Sequence, residues 1–378
     1  MTKPKHVLGI SGGKDSAALA IYLRDTYPQL DIEYYFCDTG KELDETYQLI
    51  ERLEGYLGKQ IEKLEPREVK DLGENPFDYY YQSYRGYLPS NVARWCTKKM
   101  KLEPFESFVG EAPTLSYVGI RGDEDREGYI SKKQNIQSIF PFRRNIWSEE
   151  IIKKVLSVTE TERILELYKQ DINGSKYDKV AKIINEPLIL IERNPEQNRK
   201  AIQEKLNLLF DQGVPEFNKV VFDFLKDKGF PISFEEDYPL LYNEDILMRD
   251  DIFRLLRESG VGVPGYYEKM EYEVDGQKGQ YARSRSGCYF CFFQQKIEWV
   301  WLYEQHPDLY FQAMEYENEK EGFTWNQNES LKDLIHPHRI HQIKSEHLNR
   351  MDKEKSKGSK YLLDKVIDAE KDCIACFG

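Results

Sequence analysis

Long apolar runs are missing from this sequence of 378 residues, and cysteine is scarce, with six residues. No stretch approaches the roughly 20 apolar residues that a helix needs to cross a bilayer. The first residues also lack the apolar segment of a signal peptide. These absences predict a cytoplasmic protein with no membrane partner. Six cysteines are too few for a disulfide scaffold in so long a chain, which favours metal or sulfur chemistry.

Positive charge is also in short supply, since the formal net charge is -12. This charge works against nonspecific binding to nucleic acid, which depends on clustered lysine and arginine. A short basic run over residues 94–101 leaves room for a local basic groove, although a solvated helix face has the same pattern. The chain is longer than one core usually needs, so we expect a catalytic domain with an added unit or insertion.

Strand and helix signals alternate along the first part of the chain. Apolar runs at 6–10, 32–37 and 115–120 predict strands, and 17–23 predicts a helix after the first strand. Such alternation predicts an α/β fold with a parallel sheet and helices on both faces. Ligands bind sheets of this kind at the carboxyl ends of the strands.

The pattern changes near residue 148 to long amphipathic segments such as 196–212. We therefore predict four regions. They are a nucleotide-binding domain over 1–147, a helical insertion over 148–236, a completion of the catalytic domain over 237–315, and a helical C-terminal region over 316–378. Helices are predicted around Trp299 and from Pro307, and a charged linker over 351–360.

A glycine-rich turn lies between the first predicted strand and the first predicted helix. It consists of Ser11, Gly12, Gly13, Lys14, Asp15 and Ser16. Glycine lets the backbone approach an anion closely, and the helix terminus supplies N–H donors, to which Lys14 adds a full charge. The Walker and dinucleotide-binding patterns have other glycine spacings, so neither fits. The turn predicts a site for nucleotide phosphates, with a purely structural turn as the alternative.

This turn resembles the PP-loop of the adenine nucleotide alpha-hydrolase superfamily, whose members cleave ATP between the alpha and beta phosphates. A second segment resembles the Asp-Thr-Gly element of the phosphoadenylyl-sulfate reductase branch, and it consists of Asp38, Thr39 and Gly40. Alone, this segment would be read as an ordinary turn. The resemblance implies a Rossmann-like α/β fold that binds ATP and magnesium, with the adenosine side near residues 38–40.

A third segment, residues 94–104, is similar to the Arg-x-Cys-Cys-x-x-x-Lys-x-x-Pro segment of cluster-bearing adenylyl-sulfate reductases. The shared positions are Arg94, Cys96, Lys101 and Pro104. Thr97 replaces the second cysteine, so one ligand of the reductases' iron-sulfur site is missing. In this respect the chain looks closer to the DndC and SspD type of ATP pyrophosphatase from DNA phosphorothioation systems, which Arg121 and its neighbours also fit.

Cys288 and Cys291 form a Cys-x-x-Cys pair, and Cys96 could supply a third thiolate from the other side of the site. Three thiolates can hold a [4Fe-4S] cluster with one iron open for sulfide. The alternative is a zinc site that adds Cys373 and Cys376, although the separation far exceeds that of a zinc ribbon. The tail pair could also be a mobile dithiol in which Cys376 carries sulfur. Purely structural thiols are a further interpretation.

Two other clusters carry weaker signals. Tyrosines at 79–81, 84 and 87 could clamp a substrate or stack on a base, but packing explains them equally well. His336, His338 and His341 could bind a metal, but a proline-broken segment is more often a loop with solvated histidines.

Taken with the resemblance, these residues predict an ATP pyrophosphatase that adenylylates a substrate oxygen so that sulfur can replace it. Lys14 would stabilise the departing pyrophosphate together with Lys101 or Arg121, and Cys96 would take part in the sulfur chemistry. The resemblance implies DNA phosphorothioation in phage defence, with a cysteine desulfurase as sulfur donor and DNA or another nucleic acid as substrate. The alternatives are an adenylyl-sulfate or phosphoadenylyl-sulfate reductase, a tRNA thiolation enzyme, and an ATP-sensing module of a defence complex that catalyses no reaction.

Overall fold

A computed structural model describes residues 3–124, 126–128, 130–192, 194–327 and 329–355. Five strands form one sheet in the order β3-β2-β1-β4-β5, and every pairing is parallel. The strands are β1 (Lys5–Gly9), β2 (Ile32–Cys37), β3 (Ile61–Leu64), β4 (Thr114–Tyr117) and β5 (Ile136–Ile139). This topology confirms the predicted Rossmann-like α/β fold.

The strand order reverses at β1. The chain runs outward from β1 through β2 to β3 and then returns to the other side of β1 as β4. The loops that follow β1 and β4 therefore turn away from each other and leave a crevice at the carboxyl end of the sheet. Ligands bind at such a reversal in open α/β sheets, so this crevice is the first place to look for a functional site.

Helices cover both faces of the sheet. They are α1 (Lys14–Thr26), α2 (Asp44–Leu57), α3 (Arg67–Leu72), α4 (Pro76–Ser83), α5 (Trp95–Thr97) and α6 (Glu103–Val109), with a π-helical turn (Lys98–Leu102) between α5 and α6. Leu8 of β1 packs in the core that contains α1 and α2, whereas its neighbour Val7 packs with Phe105 and Val109 of α6. A parallel strand of this kind is buried on both faces, which explains why β1 is a continuous apolar run.

The segment 148–236 is helical. It contains α7 (Glu149–Val155), α8 (Thr161–Asp171), α9 (Gly174–Asn185), α10 (Pro195–Phe210) and α11 (Val214–Lys226). Apolar side chains of all five helices belong to the same core as Leu8. Buried polar contacts also join this segment to the sheet, since His6 Nε2 lies 2.9 Å from Glu235 Oε1 and the Ile232 N–H donates to Gln137 Oε1 at 3.0 Å.

The C-terminal part packs on both α1 and α4. Its elements are α12 (Arg249–Glu258), the antiparallel hairpin of β6 (Met270–Val274) and β7 (Gln277–Tyr281), α13 (Lys296–Gln305), α14 (Pro307–Glu315), α15 (Leu331–Leu334) and α16 (Pro337–Lys355). Helix α12 lies along α1. Phe77 and Tyr80 of α4 share a second core with Trp299 of α13. The tyrosine cluster is therefore at least partly a packing feature.

Several local predictions can be compared with these elements. The helices predicted around Trp299 and from Pro307 are confirmed as α13 and α14. The loop predicted around the histidines is wrong, because Pro337 begins α16 and His338 and His341 lie on it. Proline is favourable at a first helical position, so it starts this helix rather than breaking it. The predicted linker is wrong for 351–355, which extend α16, and the rest of it lies outside the described residues.

Candidate functional site

The glycine-rich turn joins β1 to α1 inside the crevice. Gly12 has a φ of +73°, and a Cβ there would overlap the Thr46 methyl carbon of α2. Gly13 caps α1, and a Cβ there would lie 2.6 Å from Ser286 Oγ. The turn is thus packed between α2 and a segment of the C-terminal part, and its left-handed position at Gly12 favours glycine.

Two tyrosines of the C-terminal part close over this turn. Tyr266 donates its hydroxyl proton to the Gly12 carbonyl at 2.7 Å, and Tyr267 accepts the Lys14 N–H at 3.4 Å. The Gly13 N–H donates to Ser11 Oγ at 3.3 Å. Both N–H bonds are long for the donor type. These two amides can therefore exchange their present acceptors for an anion at small cost.

Three buried charges line the crevice beside the turn. Asp15 accepts from Lys14 Nζ through one oxygen and from Arg121 Nη1 through the other, each at 3.0 Å. Burial would raise the pKa of Asp15, but the two cations outweigh it and lower this pKa to about 2. Burial would lower the pKa of Lys14, but Asp15 more than compensates, so this pKa is raised. Arg121 also donates through Nε to Asp123 at 2.9 Å. The crevice therefore holds two cations in fixed positions beside the turn.

The hydroxyl groups of Ser11 and Ser16 stabilise the conformation of the turn itself. Ser16 Oγ accepts the Ser11 N–H at 3.0 Å and lies 3.0 Å from Ser11 Oγ. These bonds join the end of β1 to the first turn of α1. Every predicted residue of the turn is therefore present at the reversal of strand order, where a phosphate-binding loop of this fold is expected.

Asp38 and Gly40 order the loop after β2. Asp38 accepts the Gly40 N–H at 2.7 Å and the Tyr47 hydroxyl at 2.9 Å, and its second oxygen lies 2.9 Å from Lys63 Nζ. Gly40 has a φ of +72° and packs against Asn75. Both oxygens of Asp38 are engaged, so this carboxylate does not offer a free oxygen to magnesium.

Thr39 joins this loop to the Cys-x-x-Cys segment. Its hydroxyl donates to Glu42 Oε1 at 2.9 Å and lies 3.1 Å from Cys288 Sγ. Burial raises the pKa of Glu42 to about 7, with Lys101 acting in the opposite direction. The second oxygen of Glu42 has no hydrogen-bond partner among the described residues. Glu42 was not predicted from the sequence, because its contact with Cys288 spans 246 positions.

Lys101 lies on the π-helical turn, on the thiol side of the crevice. Burial raises the pKa of Cys96 to about 12 and that of Cys288 well above its usual value. The charge of Cys291 adds to both shifts, and the charge of Lys101 opposes both. The predicted residues Cys96, Cys288, Cys291 and Lys101 therefore lie within electrostatic reach of one another. Arg121, in contrast, is paired at the glycine turn.

The side chains of Cys96, Cys288 and Cys291 lie on the same side of the crevice, but they do not form a metal-ligating group. Within the described ranges, no group of three or more His, Cys, Asp or Glu side chains is arranged to hold a metal ion. Cys288 Sγ instead contacts Thr39 and lies 3.9 Å from Glu42 Oε1. The iron-sulfur cluster on Cys96, Cys288 and Cys291 therefore stays a prediction. Cys373 and Cys376, which the zinc and sulfur-carrier interpretations need, lie outside the described residues. Cys37 is buried in β2.

A cavity of about 1150 Å³ has Gly122 and Glu124, which follow Arg121 in the sequence, in its lining. It lies between residues 122–128 and α10, and side chains of both charge signs line it, among them Arg126, Arg144 and Glu127. The mixed charge does not select an anion. No helix in the described part of the chain is long and apolar enough to span a membrane.

Comparison with known proteins bears on the first half of the chain. A family model described as the phosphoadenosine phosphosulfate reductase domain matches residues 5–172. The chain is also similar to an uncharacterized protein of Methanocaldococcus jannaschii, with 33% identity over 148 residues. That similarity covers 35% of this chain and 28% of the relative, so the match spans well under half of either protein. Comparison with solved structures gave no match.

The matched region contains the sheet, the glycine turn, the Asp38 loop, Cys96, Lys101 and Arg121. It does not contain Tyr266, Tyr267 or Cys288, which complete the site from outside it. Such a domain indicates an enzyme that uses a nucleotide in sulfur-related chemistry. Residues 5–172 are thus similar to the phosphoadenosine phosphosulfate reductase domain.

Proposed function

We propose that the protein is an ATP pyrophosphatase that adenylylates an oxygen of its substrate to prepare that oxygen for replacement by sulfur. The observation that carries this proposal is the glycine turn with its buried Lys14–Asp15–Arg121 group. A substrate oxygen attacks the alpha phosphorus of ATP. The bond between that phosphorus and the oxygen bridging to the beta phosphorus breaks, and pyrophosphate leaves with the electron pair.

The residues of the crevice match the needs of this step. The amides of Gly13 and Lys14 and the ammonium of Lys14 donate to the phosphate oxygens on which charge develops. Each charge-assisted hydrogen bond contributes about 1.5 to 3 kcal/mol. Asp15 holds both cations in place before ATP arrives. Magnesium bound to the phosphates would neutralise further charge.

We place the sulfur-transfer step on the side of the crevice where Cys96, Cys288 and Cys291 lie. Arg94 and Arg285 lie 5.1 Å and 5.4 Å from the ring centroid of Phe293, close in sequence to Cys96 and Cys288. This basic and aromatic rim stands out in a chain of net charge -12, and such a combination suits a nucleic-acid backbone. We therefore favour a DNA phosphate as the activated group and a cysteine desulfurase as the sulfur donor. The outer sulfur of a persulfide would form a bond to the phosphorus of the DNA phosphate as AMP leaves with the activated oxygen. A second thiol would then attack the carrier sulfur, so that the phosphorothioate is released and a disulfide forms.

One assay tests the ATP step. Purified protein is incubated with Mg-ATP, with and without duplex DNA, and AMP and pyrophosphate are measured. Lys14→Ala should lower pyrophosphate release by about 100-fold, the usual effect of losing one preorganised donor. Lys154→Ala is the matched control, because Lys154 is exposed on α7 and contacts Glu150 and the ring of Phe230. Absence of AMP from the wild-type reaction would refute the proposal.

A reductase is the second candidate, and the description of the matched domain favours it. A reductase would release sulfite from adenylyl-sulfate or phosphoadenylyl-sulfate and would not need ATP. Sulfite release from a labelled substrate, with no AMP formed from ATP, would replace our proposal by this one. Release of AMP from ATP without sulfite would exclude the reductase.

A further inference from the structure

We propose that Arg283 and Gln294 bind a tetrahedral oxyanion of the substrate, of the phosphate or sulfate class, next to Cys288. The inference rests on the proposed function and deepens it, because it names the residues that would hold the anionic group of the substrate. A neutral carbonyl oxygen of a nucleobase would not need these residues.

The guanidinium of Arg283 is buried and only partly satisfied. Its Nη2 donates to the Cys288 carbonyl at 3.0 Å and to Gln294 Oε1 at 3.3 Å. Its Nε and Nη1 have no hydrogen-bond partner among the described residues, although Arg283 is only 3% exposed. A buried guanidinium normally uses its planar set of donors on a carboxylate or phosphate. Two of the Arg283 donors are thus left for a ligand.

Gln294 adds a third unused donor. Its Oε1 accepts from Arg283 and from the Cys291 N–H at 3.0 Å, which fixes the orientation of the amide. Its Nε2 has no partner in the described part of the chain, and the side chain is 8% exposed. Buried polar atoms in native proteins are nearly always hydrogen-bonded, so adjacent unused donors of this kind indicate a missing acceptor.

The carboxyl group of Glu42 is not the acceptor for the unused donors of Arg283. Glu42 is close enough for the charge of Arg283 to lower its pKa slightly against the larger effect of burial. Even so, no ion pair joins these two described residues, and the second oxygen of Glu42 also lacks a partner. The carboxyl and guanidinium groups therefore lie apart in the same buried region. An oxyanion between them would accept a hydrogen bond from an unused N–H of Arg283 and take another from Glu42 when that carboxyl is protonated.

The position of Arg283 suits a substrate about to be adenylylated. Its backbone N–H donates to the Tyr266 carbonyl at 2.9 Å, and the Tyr266 hydroxyl holds Gly12. Its side chain, at the other end, contacts Cys288. An oxyanion on Arg283 would thus lie between the phosphate-binding turn and the thiols, where an oxygen must be placed to attack the alpha phosphorus. The half-buried Arg285 and Arg94 at the rim would attract such a group.

Inorganic sulfate is the first probe. Full-length protein is saturated with a non-hydrolysable ATP analogue, so that sulfate does not simply occupy the glycine turn. The melting temperature is then measured in sulfate and in chloride at equal ionic strength. Sulfate should raise the melting temperature of the wild type, and Arg283→Met should abolish this rise. Arg254→Met is the matched control, since Arg254 is an exposed arginine of α12 paired with Asp251, and it should respond like the wild type.

Gln294→Glu keeps the test meaningful if Arg283→Met unfolds. The introduced carboxylate has about the same size as the amide that it replaces. It would neutralise the charge of Arg283 without a bound ligand. We expect a higher melting temperature without sulfate and at least a tenfold weaker response to sulfate. A wild-type response to sulfate in either variant overturns the proposal. The stabilisation by the ATP analogue should persist in both variants. Its absence from the wild type would instead contradict the ATP site, and the two failures are thus separable.

Further probes distinguish an oxyanion that belongs to a nucleic-acid backbone from a free oxyanion. A thymidine dinucleotide carries one phosphodiester, and its methylphosphonate analogue has the same shape without the charge. Protection by the dinucleotide but not by the analogue supports an oxyanion from a nucleic-acid backbone. Protection by inorganic sulfate or phosphate alone supports a free oxyanion. Protection by none of these probes overturns the proposal.

Discussion

Two buried carboxyl groups near the ends of neighbouring strands have opposite surroundings. Asp15, after β1, lies between Lys14 and Arg121, and these cations lower its pKa to about 2. Glu42, after β2, contacts a threonine hydroxyl and a thiol, and burial raises its pKa to about 7. One carboxyl has its charge matched within the protein, and the other does not.

This contrast divides the site into two regions. We call the glycine turn with Lys14, Asp15 and Arg121 the prepared region, and the thiol side with Glu42, Arg283 and Gln294 the incomplete region. The glycine turn has fixed its cations before any nucleotide binds, so little reorganisation is needed when charge develops on the phosphates. The thiol side keeps unpaired atoms on Glu42, Arg283 and Gln294. Unpaired buried groups destabilise the free protein, so a ligand that pairs them would bind with that advantage. The two regions should therefore respond differently to mutation and to pH.

Asp15→Asn should give the largest effect. Removing one partner of a buried charged group typically costs about 3 to 5 kcal/mol, and here Lys14 would lose its carboxylate, whereas Arg121 would keep its contacts with Asp123 and Glu124. Chemical denaturation at neutral pH measures the loss. Asp25→Asn is the control, because Asp25 pairs with Arg24 in an exposed position and should change stability by less than about 1 kcal/mol.

Acid should reproduce part of this loss in the wild type. The pKa of Asp15 is lowered in the folded protein, so its stabilising contribution is present above the unfolded pKa of 3.8 and is lost as the pH falls towards about 2. Asp15→Asn should lack this component of acid unfolding. Equal acid sensitivity of the wild type and the variant would show that Asp15 is not paired as described.

Glu42→Gln should act in the opposite direction. A raised folded pKa means that stability falls as the pH rises from 4.5, the unfolded value, to about 7. Glutamine does not ionise, so the variant should gain about 2 to 3 kcal/mol relative to the wild type between about pH 5 and about pH 8. Urea unfolding at both pH values measures this gain. Glu62→Gln, at an exposed position of β3, is the control. An equal gain in the free energy of unfolding there would mean that the gain does not come from the burial of Glu42.

Much of the prepared region could be predicted from the sequence. Residues 11–16 are contiguous and follow an apolar strand, so local pattern and chain direction are enough to place them. Arg121 could be placed as well, because it follows the neighbouring strand β4 and parallel strands end at one edge of the sheet. Its bond to Asp15 spans 106 positions, yet the topology brings the two together.

The incomplete region could not be predicted in the same way. Glu42 meets Cys288, and Tyr266 meets Gly12, over 246 and 254 positions respectively. No periodicity or spacing encodes such contacts, which depend on how the C-terminal part docks on the sheet. Arg283 lies in no local motif, and only its unused donors distinguish it. The histidine segment was misread because a proline can begin a helix as well as interrupt one.

Gly12→Ala tests the shape of the prepared region. Gly12 is left-handed, and an added Cβ would meet Thr46. Gly58 has a φ of +63° at the end of α2, where a Cβ would meet nothing within 4 Å. Gly58→Ala therefore carries only the backbone strain of about 1 kcal/mol, whereas Gly12→Ala should lose about 2 kcal/mol. It should also lose stabilisation by an ATP analogue, which Gly58→Ala should retain. Equal behaviour of both variants in thermal unfolding would mean that the turn is not packed against α2.

The smallest effect is expected from Lys63→Met, and it shows that proximity to a strand end is not sufficient. Lys63 pairs with Asp38 at 2.9 Å, but its side chain is 56% exposed, whereas that of Arg121 is 4% exposed. An ion pair with one exposed partner contributes at most about 1 kcal/mol. Asp38 would also keep its bonds from the Gly40 N–H and the Tyr47 hydroxyl. The variant should therefore unfold within about 1 kcal/mol of the wild type, and high salt should narrow the difference. A loss as large as that of Asp15→Asn would mean that burial does not separate the two ion pairs, and the contrast between a prepared and an incomplete region would lose its electrostatic basis.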